Sequence, residues 1–178
     1  MVFNQKSTRV EDIDKKQIMP VIKKYTAFLE DRVLDVQFGE SGPNFVIDTR
    51  IKNNNSIDEK LSEYMNRDEK GKVSINKCYN DLFGIRAIVD CDELDYKCVN
   101  ESLARNEVKT ENKDQKHKIL GVRYKAIHLY FKNDNNTFSW ELQIWRSCDE
   151  KGNQESHVHH RYQYRNWESE NKQYLIEE

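Results

Sequence analysis

The sequence predicts an α/β fold of the α+β kind, a mixed β-sheet of about five strands flanked by helices. Three observations predict it. Stretches with helically spaced apolar residues stand before, between and after the strand segments. Short alternating or wholly apolar runs, such as Phe45 to Ile51 and Ile85 to Asp90, read as strands. Two further strands, Lys125–Lys132 and Thr137–Arg146, are joined by the turn-forming Asn133-Asp134-Asn135-Asn136, a hairpin signal. At 178 residues the chain reads as a single domain over 1–178. It divides into an N-terminal helical segment (1–43), a core (44–165) and a tail or helix (166–178).

Residues 10–37 read as helical, because Ile13, Ile18, Val21, Ile22, Tyr25, Phe28, Leu29 and Val33 recur at roughly helical spacing. Pro20 is expected to divide that stretch into two helices or to kink it. Gly39 to Pro43 is a turn. In Asn44 to Lys52, Phe45, Ile47, Thr49 and Ile51 alternate with Val46, Asp48 and Arg50. Ser56 suits a helix N-cap, with Glu59 at the capping-box position, ahead of a helix from Ile57 to about Asn66. Arg67 to Lys72 reads as a loop, Ser74 to about Phe83 as a short helix, and Gly84 leads into the buried strand Ile85–Asp90. Asp92 to about Asn106 is predicted helical. Glu107 to Gly121, polar and rich in lysine without a clear period, is predicted to be an exposed, mobile loop. The C-terminal third, rich in His, Tyr and Trp, returns to helix.

Charged residues make up 34% of the chain, yet the formal net charge is only -2, so a broad basic nucleic-acid footprint is excluded. Cys78, Cys91, Cys98 and Cys148 form no CxxC pair and lack metal-ligand spacing, as expected of free thiols in a reducing cytosol. No apolar run has signal-peptide character and none approaches the roughly 18 residues of a membrane span. The expectation is a soluble cytoplasmic protein with no membrane partner.

The chemistry concentrates in two strands. Asp81-Leu-Phe-Gly-Ile-Arg86 sets a carboxylate and a guanidinium around a glycine at the mouth of a buried strand. Trp140-Glu141-Leu-Gln143-Ile-Trp145-Arg146 brings a second carboxylate. Alternation places Glu141, Gln143 and Trp145 on one face and Trp140, Leu142 and Ile144 on the other. In the partner strand Ala126, His128 and Tyr130 oppose Ile127, Leu129 and Phe131. If the apolar faces share the core, His128, Glu141 and Gln143 line the opposite surface as a candidate cleft. Magnesium takes one or two carboxylates plus water and phosphate oxygens, and Asp81 with Glu141 meets that requirement. Arg50, Lys52 and Lys60 bracket the start of a helix, an arrangement that suits an anion. The combination points to phosphoryl or pyrophosphoryl transfer.

In this order the segments resemble the RelA/SpoT synthetase domain, particularly its single-domain small alarmone synthetases. The resemblance rests on Arg50-x-Lys52-x-x-x-Ser56-Ile-x-Glu-Lys60, on Asp81 to Arg86, on Tyr124, Ile127 and His128, and on Glu141 to Arg146. A His- and Tyr-containing region from Glu155 to Tyr164 corresponds loosely. It implies a nucleotidyltransferase-like synthetase fold over roughly residues 44–165 and a GTP/GDP diphosphokinase of the stringent response. Such an enzyme passes the β,γ-pyrophosphate of ATP to the 3′-hydroxyl of GDP or GTP. By the same resemblance Arg50 and Arg86 sandwich the adenine, while Lys52, Ser56 and Lys60 hold the ATP phosphates. Asp81 and Glu141 bind Mg2+, and Glu141 also accepts the hydroxyl proton. Tyr124 stacks on the acceptor base, with Lys118, His128, Gln143 and Arg146 orienting the acceptor. The family's small members also allow a homo-oligomer.

Two departures fall in the acceptor pocket: Arg123 stands where the family has Gly, and Ala126 where it has Ser. The acceptor therefore stays open between GDP or GTP and the alternatives used by toxin-like relatives, the tRNA 3′ end or adenosine nucleotides. The stretch of Lys113, Lys116, His117, Lys118 and Arg123 suits either kind of acceptor. A catalytically silent nucleotide-binding regulatory module is the reading of another class, and the intact Asp81/Glu141 pair argues against it. No His-Asp dipeptide occurs, so hydrolase activity is not expected. His157, His159 and His160 lack the convergent spacing of a zinc site.

Overall fold

The computed structural model of the chain describes residues 4, 7–33, 45–66, 70–103, 109–116, 121 and 123–159. In chain order these form α1 (Lys15–Val33), β1 (Phe45–Ile51), α2 (Asn54–Asn66), the single-turn α3 (Ile75–Cys78) and β2 (Phe83–Val89). After them come α4 (Tyr96–Leu103), β3 (Lys109–Lys116), β4 (Arg123–Phe131) and β5 (Trp140–Arg146). Residues 150–159 are helical and are called α5. One mixed sheet has the order β1-β2-β5-β4-β3, and only the β2/β5 pair is parallel.

Two apolar clusters flank this sheet. The larger joins Ile18, Met19 and Ile22 of α1 to Ile57 and Leu61 of α2, to Ile75 and Cys78 of α3, and to Tyr79 and Leu82. Each fully buried Ile or Leu there contributes about 1.5–3 kcal/mol. The smaller joins Tyr124, Ala126 and Trp145, with Ile88 against them.

Several boundaries differ from those read off the sequence. Helix α1 runs without division through Pro20, which is exposed, so the carbonyl that lacks its N–H partner can be solvated. Buried Ile18, Met19, Ile22 and Thr26 hold both halves of the helix on one core. Helix α2 starts ahead of Ser56, because the Asn53 side-chain oxygen accepts the Ser56 N–H at 2.8 Å and acts as the cap. Helix α4 is shorter than predicted at its start. Asp95 Oδ1 accepts the N–H groups of Lys97 and Cys98 at 2.8 and 3.1 Å and fixes where the helix begins. The segment predicted to be a loop holds the edge strand β3, paired antiparallel with β4 from Lys109↔Tyr130 to Lys116↔Arg123. An edge strand takes its pairing from the backbone and needs no apolar alternation, the signal whose absence suggested a loop. The turn at Gly39 to Pro43 lies outside the described residues, as does the tail beyond 159.

The predicted alternation of β4 and β5 holds, but the face carrying ionisable groups is not a solvated surface. His128 is 3% exposed, Glu141 7% and Trp145 0%, as buried as Ile127 and Leu129 on the other face. Among the described residues no helix is long and apolar enough to cross a membrane.

Candidate active site

Sheet register assembles the site in rows. Arg50 of β1 pairs with Gly84 of β2, Gly84 with Glu141 of β5, and Glu141 with Tyr130 of β4. The next row runs Asp48, Arg86, Gln143, His128. Directly paired residues project from one face, so two carboxylates, two arginines, a carboxamide and an imidazole share a single side of the sheet. Gly84 leaves a gap in the middle of its row. A Cβ built there would come no closer than 3.9 Å to the carbonyl oxygens of Arg50 and Glu141.

At the mouth of β2 the Asp81 carboxylate is gripped by two lysines. Lys52, just past β1, donates to Oδ2 at 2.6 Å, and Lys60, on α2, donates to Oδ1 at 2.9 Å. The lysine side chains are 11% exposed and that of Asp81 27%. Burial by itself would raise the Asp81 carboxyl, but Lys60 and Lys52 outweigh it and hold the group well below the ordinary carboxylate range. Lys52 is driven down by burial, partly offset by Asp81. Lys60 also donates to Asn80 Oδ1 at 3.3 Å, and its pKa is raised despite burial through Asp81.

Deeper in the cleft a hydrogen-bonded chain crosses three strands. Tyr124 OH meets His128 Nε2 at 2.8 Å, and His128 Nδ1 meets Glu141 Oε1 at 2.5 Å. Gln143 Nε2 donates to Glu141 Oε2 at 2.8 Å, and Arg86 Nη2 reaches Gln143 Oε1 at 3.4 Å. An ionised carboxylate only accepts, so His128 carries its proton on Nδ1, and in the neutral ring Nε2 accepts from the Tyr124 hydroxyl. Burial would raise the Glu141 carboxyl, but the hydrogen bonds from His128 and from the Gln143 amide outweigh it and leave the group lowered. Glu141 is therefore ionised at neutral pH. His157 of α5 stacks on Trp145 with centroids 5.5 Å apart and is driven down to about 3 by burial and then by Arg86 and Arg50, so it is neutral.

These groups line one open cleft of about 450 Å³. The region found in RelA / SpoT proteins matches residues 49–169, which contain all of the rows above except Asp48. The chain belongs to the RelA/SpoT family. Among solved structures it is similar to a GTP pyrophosphokinase family protein from Streptococcus pneumoniae, with 18% identity over 85% of this chain and 77% of that one and a TM-score of 0.47. It is also similar to the small alarmone synthetase 1 of Bacillus subtilis bound to its product pppGpp (19% identity, 80% and 76% covered, TM-score 0.43). The small alarmone synthetase 2 of the same organism is another (19% identity, 86% and 82% covered, TM-score 0.42). No curated protein matches.

In this RelA/SpoT chain the cleft gathers Arg50, Lys52, Ser56, Lys60 and Arg86 with Asp81 and Glu141, and adds His128, Gln143 and Tyr124 from the acceptor set. Two predicted residues are not brought in. Arg146 stands on the opposite face of β5 from Glu141, where its Nε donates to Asp149 Oδ2 and its Nη1 to the Asp92 carbonyl, both at 2.6 Å. Strand alternation forbids Arg146 to share a face with Glu141 or Gln143, five and three residues earlier. Lys118 lies outside the described residues. Tyr124 lines the cleft but is only 9% exposed, with the Trp145 and His157 rings nearly perpendicular to its own, so little of its surface is open to a base.

Sequence reasoning missed other lining residues. Tyr64 was reachable, because it continues the Ser56, Lys60 stripe at a spacing of four along α2, and Tyr130 follows His128 by two on β4. Lys77 precedes Asp81 by one helical turn. Ser156 and His157 fall in the loosely corresponding Glu155 to Tyr164 region, but they reach the cleft only through the docking of α5. That docking is fixed by Asn153, whose side chain exchanges hydrogen bonds with the Lys125 backbone at 2.8 and 2.7 Å.

Magnesium fits the donors present. Asp81 and Glu141 are carboxylates on one cleft, whose oxygens also accept from Lys52 and Lys60 and from His128 and Gln143. A two-carboxylate set that leaves other positions to water and phosphate is the set Mg2+ takes. His157 packs on Trp145 rather than converging with other histidines, and His160 lies outside the described residues.

Proposed function

We propose that the chain transfers the β,γ-pyrophosphate of ATP to the 3′-hydroxyl of GDP or GTP, making (p)ppGpp. The observation that carries this reading is the row Arg50, Gly84, Glu141 beside the Lys52–Asp81–Lys60 cluster, in one cleft of a RelA/SpoT chain. Arg50 and Arg86 are diagonal cross-strand neighbours, about 7–8 Å apart at the backbone. That is near twice the ~3.5–4 Å of van der Waals contact, room for one flat base between two guanidinium planes. Gly84 keeps the floor of that space clear. Lys52, Lys60 and Ser56 at the start of α2 meet the triphosphate, and Gln143 and His128 orient the acceptor.

The acceptor 3′-oxygen attacks the β-phosphorus of ATP. A P–O bond forms there while the bond from the β-phosphorus to the oxygen bridging it to the α-phosphorus breaks, and AMP leaves. The hydroxyl proton passes to Glu141, which is ionised and so free to accept it. His128 and Gln143 fix the Glu141 carboxylate in place. Mg2+ held by Asp81 and Glu141 would neutralise charge gathering on the phosphate oxygens. Aligning the two substrates and neutralising that charge supply most of the acceleration.

Incubation with γ-labelled ATP and Mg2+, offering GDP, GTP, ATP and deacylated tRNA in turn, tests this reading. Label is expected on the guanosine nucleotides. Label on tRNA or an adenosine nucleotide instead would identify a toxin-like synthetase, and none on any acceptor a silent binding module.

A further inference from the structure

The donor-side arginine rests on an aromatic pile that the reaction itself does not call for. The Arg86 guanidinium carbon lies 3.7 Å from the Trp145 ring centroid. Trp145 is fully buried, His157 stacks on it at an interplanar angle of 27°, and the Tyr124 ring stands edge-on at 89°. Arg86 Nε is buried without a hydrogen-bond partner, so packing rather than hydrogen bonding places the guanidinium stem.

Register gives the pile a direction. Arg86 pairs with Gln143, whereas Trp145 pairs with Ile88, one step further from the Arg50–Gly84 row. A guanidinium docked on Trp145 is drawn away from Gly84, with one face on the indole. We propose that Trp145, backed by His157, is a positioning residue that presents Arg86 flat and holds it clear of the glycine floor. The shape of the donor-base pocket would then be set by a side chain that never touches the base. The inference rests on the donor reading of Arg86 given above.

The test combines kinetics with the Arg86 Nε–H resonance recorded without nucleotide. In the wild type the indole ring current is expected to displace that resonance upfield. Trp145→Leu should abolish the displacement and raise the KM for ATP about 2- to 30-fold, the range of one cation–π contact, with kcat far less affected. Trp145→Phe, which keeps a ring face, should restore most of both. Arg86→Ala should raise the same KM, and Arg86→Ala/Trp145→Leu should be no worse than Arg86→Ala alone, because the indole acts through the arginine. Additive losses, or an unmoved KM and resonance in Trp145→Leu, would overturn the inference. An unmoved KM in Arg86→Ala would overturn the donor reading instead, and the resonance would then decide whether Trp145 positions Arg86. Should Trp145→Leu not fold, an undisplaced wild-type resonance is the overturning result.

Discussion

Asp81 and Glu141 are both engaged carboxylates, and removing the charge of Asp81 acts on the fold as well as on the reaction. Asp81→Asn is expected to abolish turnover and also to destabilise the fold at neutral pH, because two buried lysines lose their counter-ion. A fully buried pair broken this way loses about 3–5 kcal/mol, and with 27% of the Asp81 side chain exposed a smaller loss, about 1–3 kcal/mol, is the expectation. The folded-state pKa of Asp81 is depressed, so its contribution is fully present above the unfolded value and lost as pH falls through the folded one. Urea titrations at falling pH should therefore show wild type and Asp81→Asn converging only below the ordinary carboxylate range. Adding Lys60→Met to Asp81→Asn should recover part of the loss at neutral pH. Tyr124→Phe is expected to cost about 1–3 kcal/mol of stability, since it strips the hydroxyl from a buried His128 nitrogen. Were stacking on the acceptor base the main task of Tyr124, the same variant would be nearly silent, and denaturation curves with acceptor KM values separate the two.

At the level of elements, β2 is shaped by Gly84. Its backbone accepts a Cβ without a close contact, so Gly84→Leu should fold with a near-normal melt. The new side chain would project between Arg50 and Glu141, and the expected result is loss of both ATP binding by calorimetry and label transfer. A Gly84→Leu protein that binds ATP normally would mean the base does not sit on that floor. The start of α2 matters for a different reason, because Asn53 sets the helix that carries Ser56 and Lys60. Asn53→Ala should cost about 1 kcal/mol through the lost cap, read as a shift in the urea midpoint. Both elements were largely legible in the sequence: the Asp81 to Arg86 motif marks β2, and the spacing from Ser56 to Lys60 marks one face of α2. The edge strand β3 was not, because a strand paired through its backbone on one side only carries no apolar signature.

Across the whole molecule the docking of α5 adds His157 to the cleft lining and gives the fold a pH response. His157 has a folded pKa lowered to about 3, so folding excludes a proton that the unfolded chain binds below the ordinary histidine value of about 6.5. The stability it confers is fully present above about 6.5 and declines as pH falls from there towards 3, by at most about 1.4 kcal/mol per unit. His157→Phe is expected to flatten the stability profile in that window and to leave the more acidic decline belonging to Asp81, which unfolding measured in half-unit pH steps would reveal. The sequence by itself determined the class of fold, the two carboxylate-bearing strands, the alternation that puts Glu141 and Gln143 on one face, and the order of motifs that marks the family. Those features are local, since period, turn chemistry and spacing are properties of a few neighbouring residues. Only the tertiary structure decided that this face is buried, that Lys52 and Lys60 converge on Asp81, that Arg146 turns away, and that His157 and Trp145 stand behind Arg86. Each of those depends on which strands pair in which register and where α5 docks, and such contacts between residues far apart in the chain leave no period in the sequence.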